Sequence, residues 1–123
     1  MVLRGIVVLA VLGMGCGSSD LGGIPEQVRG VWVTDEGRYQ GRGFQLEEDV
    51  VIFAIGGGRV TVHRLQAIDT TCTDDQTLFE LRYRLGTGHV YAFDFYFHDG
   101  PDPVIRFKHQ PEIEWRKTDR TLY

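Results

Sequence analysis

The sequence predicts an all-β domain of eight antiparallel strands, closed as an up-and-down barrel or folded as a β-sandwich. Three observations carry this. In 76–85, Phe79, Leu81, Tyr83 and Leu85 fall on one face, and Glu80, Arg82 and Arg84 on the other. In 90–98, Tyr91, Phe93, Phe95 and Phe97 oppose Ala92, Asp94, Tyr96 and His98. Side chains of a strand point alternately to its two faces, so such spacing marks strands with one buried face. Beyond residue 20, helical periodicity is nearly absent, and Gly, Asp and Pro breaks recur at short intervals.

The remaining strands follow in order. The first spans about 28–34, with Trp32 inward. The second and third, about 42–47 and 50–55, flank a tight turn at Glu48-Asp49 that lacks the usual glycine. Gly56-Gly57-Gly58 ends the third as a hairpin turn; it lacks the Lys and Ser or Thr of a phosphate loop. The fourth, about 59–68, begins with Val60 and Val62 inward and switches to Leu65 and Ala67, which calls for a β-bulge near Arg64. The seventh and eighth are about 103–108 and 112–118. Short connections favour antiparallel neighbours, and closure removes exposed edges. Pairing of the first and last strands would bring Trp32 near Trp115. The inward rings (Trp32, Phe44, Phe53, Phe79, Tyr83, Tyr91, Phe93, Phe95, Phe97, Phe107 and Trp115, with Leu46 and Leu81) are bulky enough to fill most of a small barrel. Trp32, Phe79, Tyr83, Tyr91, Phe93, Phe95 and Trp115 are therefore either core or the lining of an apolar pocket.

The N-terminus reads as an address. Arg4 precedes an apolar run, Ile6 to Leu12, too short to cross a bilayer as a helix and laid out like a secretory signal. The segment Leu12-Gly13-Met14-Gly15-Cys16-Gly17-Ser18-Ser19-Asp20 resembles the lipobox of bacterial lipoproteins. Gly15 matches the small residue before the cysteine; Gly13 and Met14 depart from the usual pattern. The resemblance implies cleavage before Cys16 and acylation of Cys16 with fatty chains such as palmitate. It also implies, since Gly17 is not acidic, an outer-membrane location facing the periplasm. The expected organisation is a signal peptide 1–15, a lipid-anchored flexible tether 16–27, a barrel domain 28–118 and a tail 119–123. With Cys16 acylated, Cys72 in Thr70-Thr71-Cys72-Thr73-Asp74-Asp75 reads as a loop thiol.

Gly30-Val31-Trp32 on the first strand resembles the Gly-x-Trp motif of calycins, the group of lipocalins, fatty-acid-binding proteins and avidins. There the tryptophan plugs one barrel end and the glycine allows close packing beside it. The segments 104–108 and 113–117 also look like the end of a small lipocalin-like barrel. The implied job is holding a small apolar molecule.

Composition narrows the rest. The chain has 42% hydrophobic and 24% charged residues and a net charge of -4; loss of residues 1–15 removes only Arg4 and leaves -5. Such a balance suits a globular domain and gives no electrostatic grounds for nucleic-acid binding. The histidines 63, 89, 98 and 109 form no HxH or HExxH pattern. His98-Asp99-Gly100-Pro101-Asp102 could gather metal ligands, yet reads better as turn chemistry. Glu47, Glu48 and Asp49 read as rim carboxylates rather than a glycosidase pair, and His63 and Asp94 as polar residues of an outward face. No metal, cofactor or catalytic set is expected. The function predicted is a non-catalytic envelope lipoprotein that binds a small apolar ligand or an envelope protein. The alternative is a hydrolase inhibitor, using the loops at 69–76 and 98–103, or a small periplasmic enzyme.

Overall fold

A computed structural model describes residues 23–86 and 88–122. The chain forms β1 (Gly30–Val33), β2 (Arg42–Leu46), β3 (Val50–Gly56), β4 (Arg59–Cys72), β5 (Thr77–Arg84), β6 (Val90–His98), β7 (Val104–Phe107) and β8 (Gln110–Thr118). Each strand pairs antiparallel with the next, and β1 pairs with β8, which closes an eight-stranded up-and-down barrel. The sandwich alternative is thereby excluded. Closure sets Trp32 opposite Lys117, with Trp115 one inward position along β8. The two indoles do not stack; Phe44 bridges them, at 6.5 Å from Trp32 and 5.3 Å from Trp115 between ring centroids.

Alternation in β5 and β6 sends the expected rings inward. Phe79 pairs with Phe95 and Leu81 with Phe93 across the ladder, and all four are buried. Outward, Arg82 and Glu80 pair across strands rather than along their own. Arg82 meets Asp94 at 2.7 Å, Glu80 meets Lys108 at 3.9 Å, and Arg84 donates to the Gly88 carbonyl at 2.7 Å.

Four expectations need correction. β4 has the opposite phase in its first half: Thr61 and His63 pair with the inward Phe53 and Val51, while Val62 is 61% exposed. The register shift comes at Gln66, between the Leu65–Tyr83 and Ala67–Arg82 pairs, so Ala67, expected inward, faces out beside Arg82 and Ile68 turns inward opposite Leu81. The valines had suggested the wrong face because β-branched residues suit a pleated strand on either side. β4 also continues to Cys72, so 70–72 are strand and only Thr73–Gln76 turns, closed by Thr73 N–H to the Gln76 carbonyl at 2.8 Å. Cys72 is disulfide-bonded and is not the thiol expected. Finally, the end of the expected tether is packed. Ile24 is fully buried, its N–H donates to Glu48 O at 2.8 Å, and a 3-10 turn over Glu26–Val28 precedes β1. Two apolar side chains there, Ile24 and Val28, join the core.

These residues seal one end of the barrel. Trp32 lies across it with its Nε1–H donating to the Val28 carbonyl at 3.0 Å. Gly30 has a φ of +132°, and a Cβ there would meet the Lys117 stem at 3.3 Å. Without one, Lys117 passes over the barrel end, places its ammonium 5.5 Å from the Trp32 ring centroid and donates to Gln27 O at 2.8 Å. The Gly-x-Trp spacing thus supplies a plug and the space for its cover. The β2–β3 turn manages without glycine because neighbours hold it. Asp49 O accepts Leu65 N–H at 2.8 Å, and the Asp49 carboxylate pairs with Arg64 at 2.9 Å.

Candidate binding chamber at the barrel mouth

An up-and-down barrel gathers alternate connections at each end. The connections 34–41, 57–58, 85–89 and 108–109 surround the end opposite the Trp32 plug. There the inward face runs out of large apolar residues, with Arg42 on β2 and Gln110 on β8 at inward register positions. The result is an open chamber of about 540 Å³. Its walls include Phe44, Phe53, Phe93, Phe107, Trp115 and Tyr39, with Arg42, His109 and Gln110 as the polar groups. This volume lies within the range of small-molecule sites, roughly 300–1,000 Å³, which combine apolar walls with a few placed polar groups.

The aromatic walls brace one another. Phe107 stacks on Trp115 at 5.0 Å and meets Phe93 edge-on at 5.2 Å, and Phe53 meets Phe93 edge-on at 5.2 Å. Rings held edge-to-face or offset are favourably packed and leave their remaining faces for a guest. Tyr39 arrives from the β1–β2 connection. Its ring lies 5.7 Å from Trp115, and its hydroxyl accepts from Gln110 Nε2 at 2.8 Å. That bond closes the rim between the β1–β2 connection and β8. Trp115 is 3% exposed, and its Nε1–H has no acceptor among the described residues. A buried donor left unsatisfied costs free energy.

Beside the chamber runs a ladder of rings on β4, β5 and β6. His63 stacks on Tyr83 at 4.5 Å, and Tyr83 on Tyr91 at 5.8 Å. Partial burial lowers the His63 pKa, because the imidazolium loses solvation. Burial raises that of Tyr83, and the neighbouring Tyr91 phenolate would add to the shift.

The residues singled out in the sequence divide between the two halves of the barrel. Phe93 and Trp115 wall the chamber. Trp32, Phe79 and Phe95 are core near the sealed end, where Phe79 stacks on Phe95 at 5.3 Å. Tyr83 and Tyr91 stand at the rim, where Tyr91 is 40% exposed. Cys16 and the expected signal segment 1–15 lie outside the described residues. His63 faces inward, so it does not share the outward face of Asp94, which is taken up by Arg82. Three other carboxylates weighed as sites are engaged locally. Asp99 accepts the Gly100 N–H at 2.8 Å, Asp102 pairs with Arg116, and Glu47 accepts from Gln45 at 2.6 Å. The loops expected to insert into a hydrolase are short connections at the sealed end, 73–76 and 99–103.

Tyr39, Arg42 and Gln110 were not legible as site residues. Tyr39 lies in a polar connection without alternation, and Arg42 begins a short strand where a charge reads as an outward residue. Compared with known proteins, the chain matches no family model, and neither curated proteins nor solved structures give a significant match.

Proposed function

We propose that this chain is a non-catalytic, lipid-anchored cell-envelope protein whose barrel mouth holds a small apolar molecule. The chamber carries the reading: an open space of about 540 Å³ walled by braced aromatic rings. A barrel needed only as a scaffold gains nothing from leaving large rings unfilled on one side, since apolar surface at the mouth costs about 25 cal/mol per Å² when it stays wet. The anchor rests on the sequence, on the apolar run 6–12 ending at Gly15-Cys16, and it requires a mature chain without the Cys72 disulfide, because Cys16 is the only other cysteine. Each buried CH₂ of an acyl chain contributes about 0.8 kcal/mol of membrane attachment, so a pair of chains holds the domain stably. The polypeptide enters the barrel at its sealed end, through Ile24 against the β2–β3 turn. Anchored this way, the barrel hangs from the membrane by its plug, with the mouth towards the periplasm.

Two measurements test this. The intact mass of the chain from a bacterial host should correspond to a chain starting at Cys16 and carrying acyl groups. Sulfur acylation and an intrachain disulfide are alternative fates of the same atom, and Cys16 is the only cysteine besides Cys72. A non-acylated chain with Cys16 in a bridge overturns the anchor. Native mass spectrometry of that material should show a retained apolar adduct that is lost when Ile55, which lines the chamber from β3 opposite Arg42, is replaced by tryptophan (Ile55→Trp). An adduct that survives Ile55→Trp places the ligand elsewhere.

A further inference from the structure

Arg42 belongs to two cavities. A second pocket of about 340 Å³ adjoins the chamber outside the rim and shares Tyr39, Arg42 and Ala54 with it. Its walls are of another kind. Thr34 and Asp35 come from the end of β1, and Thr118, Arg120 and Thr121 from the end of β8 and the tail. Two arginines, three threonines and one aspartate thus line it. Among the described residues neither arginine nor Asp35 is in an ion pair, whereas Arg38, Arg64, Arg82, Arg106 and Arg116 all are.

Resting on the chamber reading above, we infer that the molecule held at the mouth is an amphiphile: an apolar body between the aromatic walls, and an oxyanion head outside the rim against Arg42 and Arg120. A guanidinium offers a planar fork of donors that fits carboxylate, phosphate or sulfonate oxygens, and threonine hydroxyls complete such a shell. Arg42 lies at the junction, where a head joined to a buried body has to emerge.

The test uses probes that share a naphthalene body: 2-naphthoate, naphthalene-2-sulfonate and 2-naphthyl phosphate, against the neutral 2-naphthylmethanol. Binding to the mature chain, in a fixed concentration of neutral detergent, is read from tryptophan emission. The oxyanions should bind about tenfold more tightly than the alcohol, about fivefold or less from each exposed arginine. Arg42→Gln with Arg120→Gln should abolish that advantage and leave the alcohol unchanged, and 0.5 M salt should shrink it. The ranking among the three oxyanions identifies the head. Equal binding of oxyanions and alcohol overturns the head site and leaves the chamber standing. An advantage that survives the double substitution overturns the assignment to these arginines. Failure of all four probes to bind refutes the chamber as well.

Discussion

Replacing Gly43 with alanine places a methyl group where the barrel wall leaves no room for one. The Cβ would sit 2.8 Å from the Trp32 carbonyl oxygen, 3.1 Å from Leu122 Cδ1 and 3.4 Å from Val33 Cγ1. The first neighbour is backbone in a closed ladder and cannot turn aside; the second is the end of a side chain in the tail. Overpacking of this kind costs about 1–3 kcal/mol. Against it stands the loss of unfolded-state freedom on replacing glycine, which favours the variant by about 0.4–1 kcal/mol. Gly43 has no left-handed φ, so no further strain enters. The balance is a destabilisation of about 1–2 kcal/mol, a melting temperature lower by roughly 5–15 °C for a domain of this size. Gly37 is the control: nothing lies within 4 Å of its Cβ position, so Gly37→Ala should be neutral or raise the melting temperature slightly. Combining Gly43→Ala with Leu122→Ala should relieve the contact with the tail and leave the clash with Trp32. Thermal melts followed by far-UV circular dichroism read all three. A Gly43→Ala chain as stable as the parent would refute the close approach of β1 and β2, and with it the geometry of the rim.

The two tryptophans should respond differently to the same change. Trp32→Phe strands the Val28 carbonyl and removes the ring beneath Lys117, and should cost about 1–2 kcal/mol more in urea denaturation than Trp115→Phe, which removes a donor that has no acceptor. Lys117→Met keeps the stem but loses the bond to Gln27 O and the contact with the Trp32 ring, and should cost about 1 kcal/mol by the same assay. Stability should also decline at both ends of the pH range. The His63 pKa is lower in the folded chain, so the unfolded chain takes up its proton first as pH falls; stability is full above about 6.5, declines through that value and levels below the folded pKa. The Tyr83 pKa is higher in the folded chain, so the unfolded chain loses its proton first, and stability declines as pH rises past about 10. His63→Phe should flatten the acid limb and Tyr83→Phe the alkaline one, by comparison of denaturation midpoints with the parent; unchanged limbs would show that neither ring is desolvated.

How far the residues announce the structure depends on which end of the barrel they occupy. Near the plug, large rings alternate with charges, and Phe79, Leu81, Phe95 and Phe97 can be assigned to the interior by counting in twos. Trp32 can be assigned as a plug from the glycine beside it, although the role of Lys117 as its cover depends on a closure 85 residues further along the chain. Towards the mouth the same period continues, but its inward positions carry Thr61, His63, Arg42 and Gln110. Polarity there no longer reports direction, so a reading based on apolar faces turns Val60 and Val62 inward and His63 outward. The chamber opens on the side of this stretch where Arg42 and Gln110 stand. It forms where inward positions are too small or too polar to meet across the barrel, while Phe53, Phe93 and Phe107 one level below still do. Two further features had no local signal. Tyr39 reaches the rim from a connection, held by Gln110 across the closure. Arg120 reaches Arg42's pocket because Leu122 packs on the side-chain-free surface of Gly43. Both depend on β1 lying beside β8, a pairing between the first strand and the last. A sequence scanned in short windows yields the walls of such a barrel before its opening, because the walls are built from neighbours and the opening from the two ends of the chain.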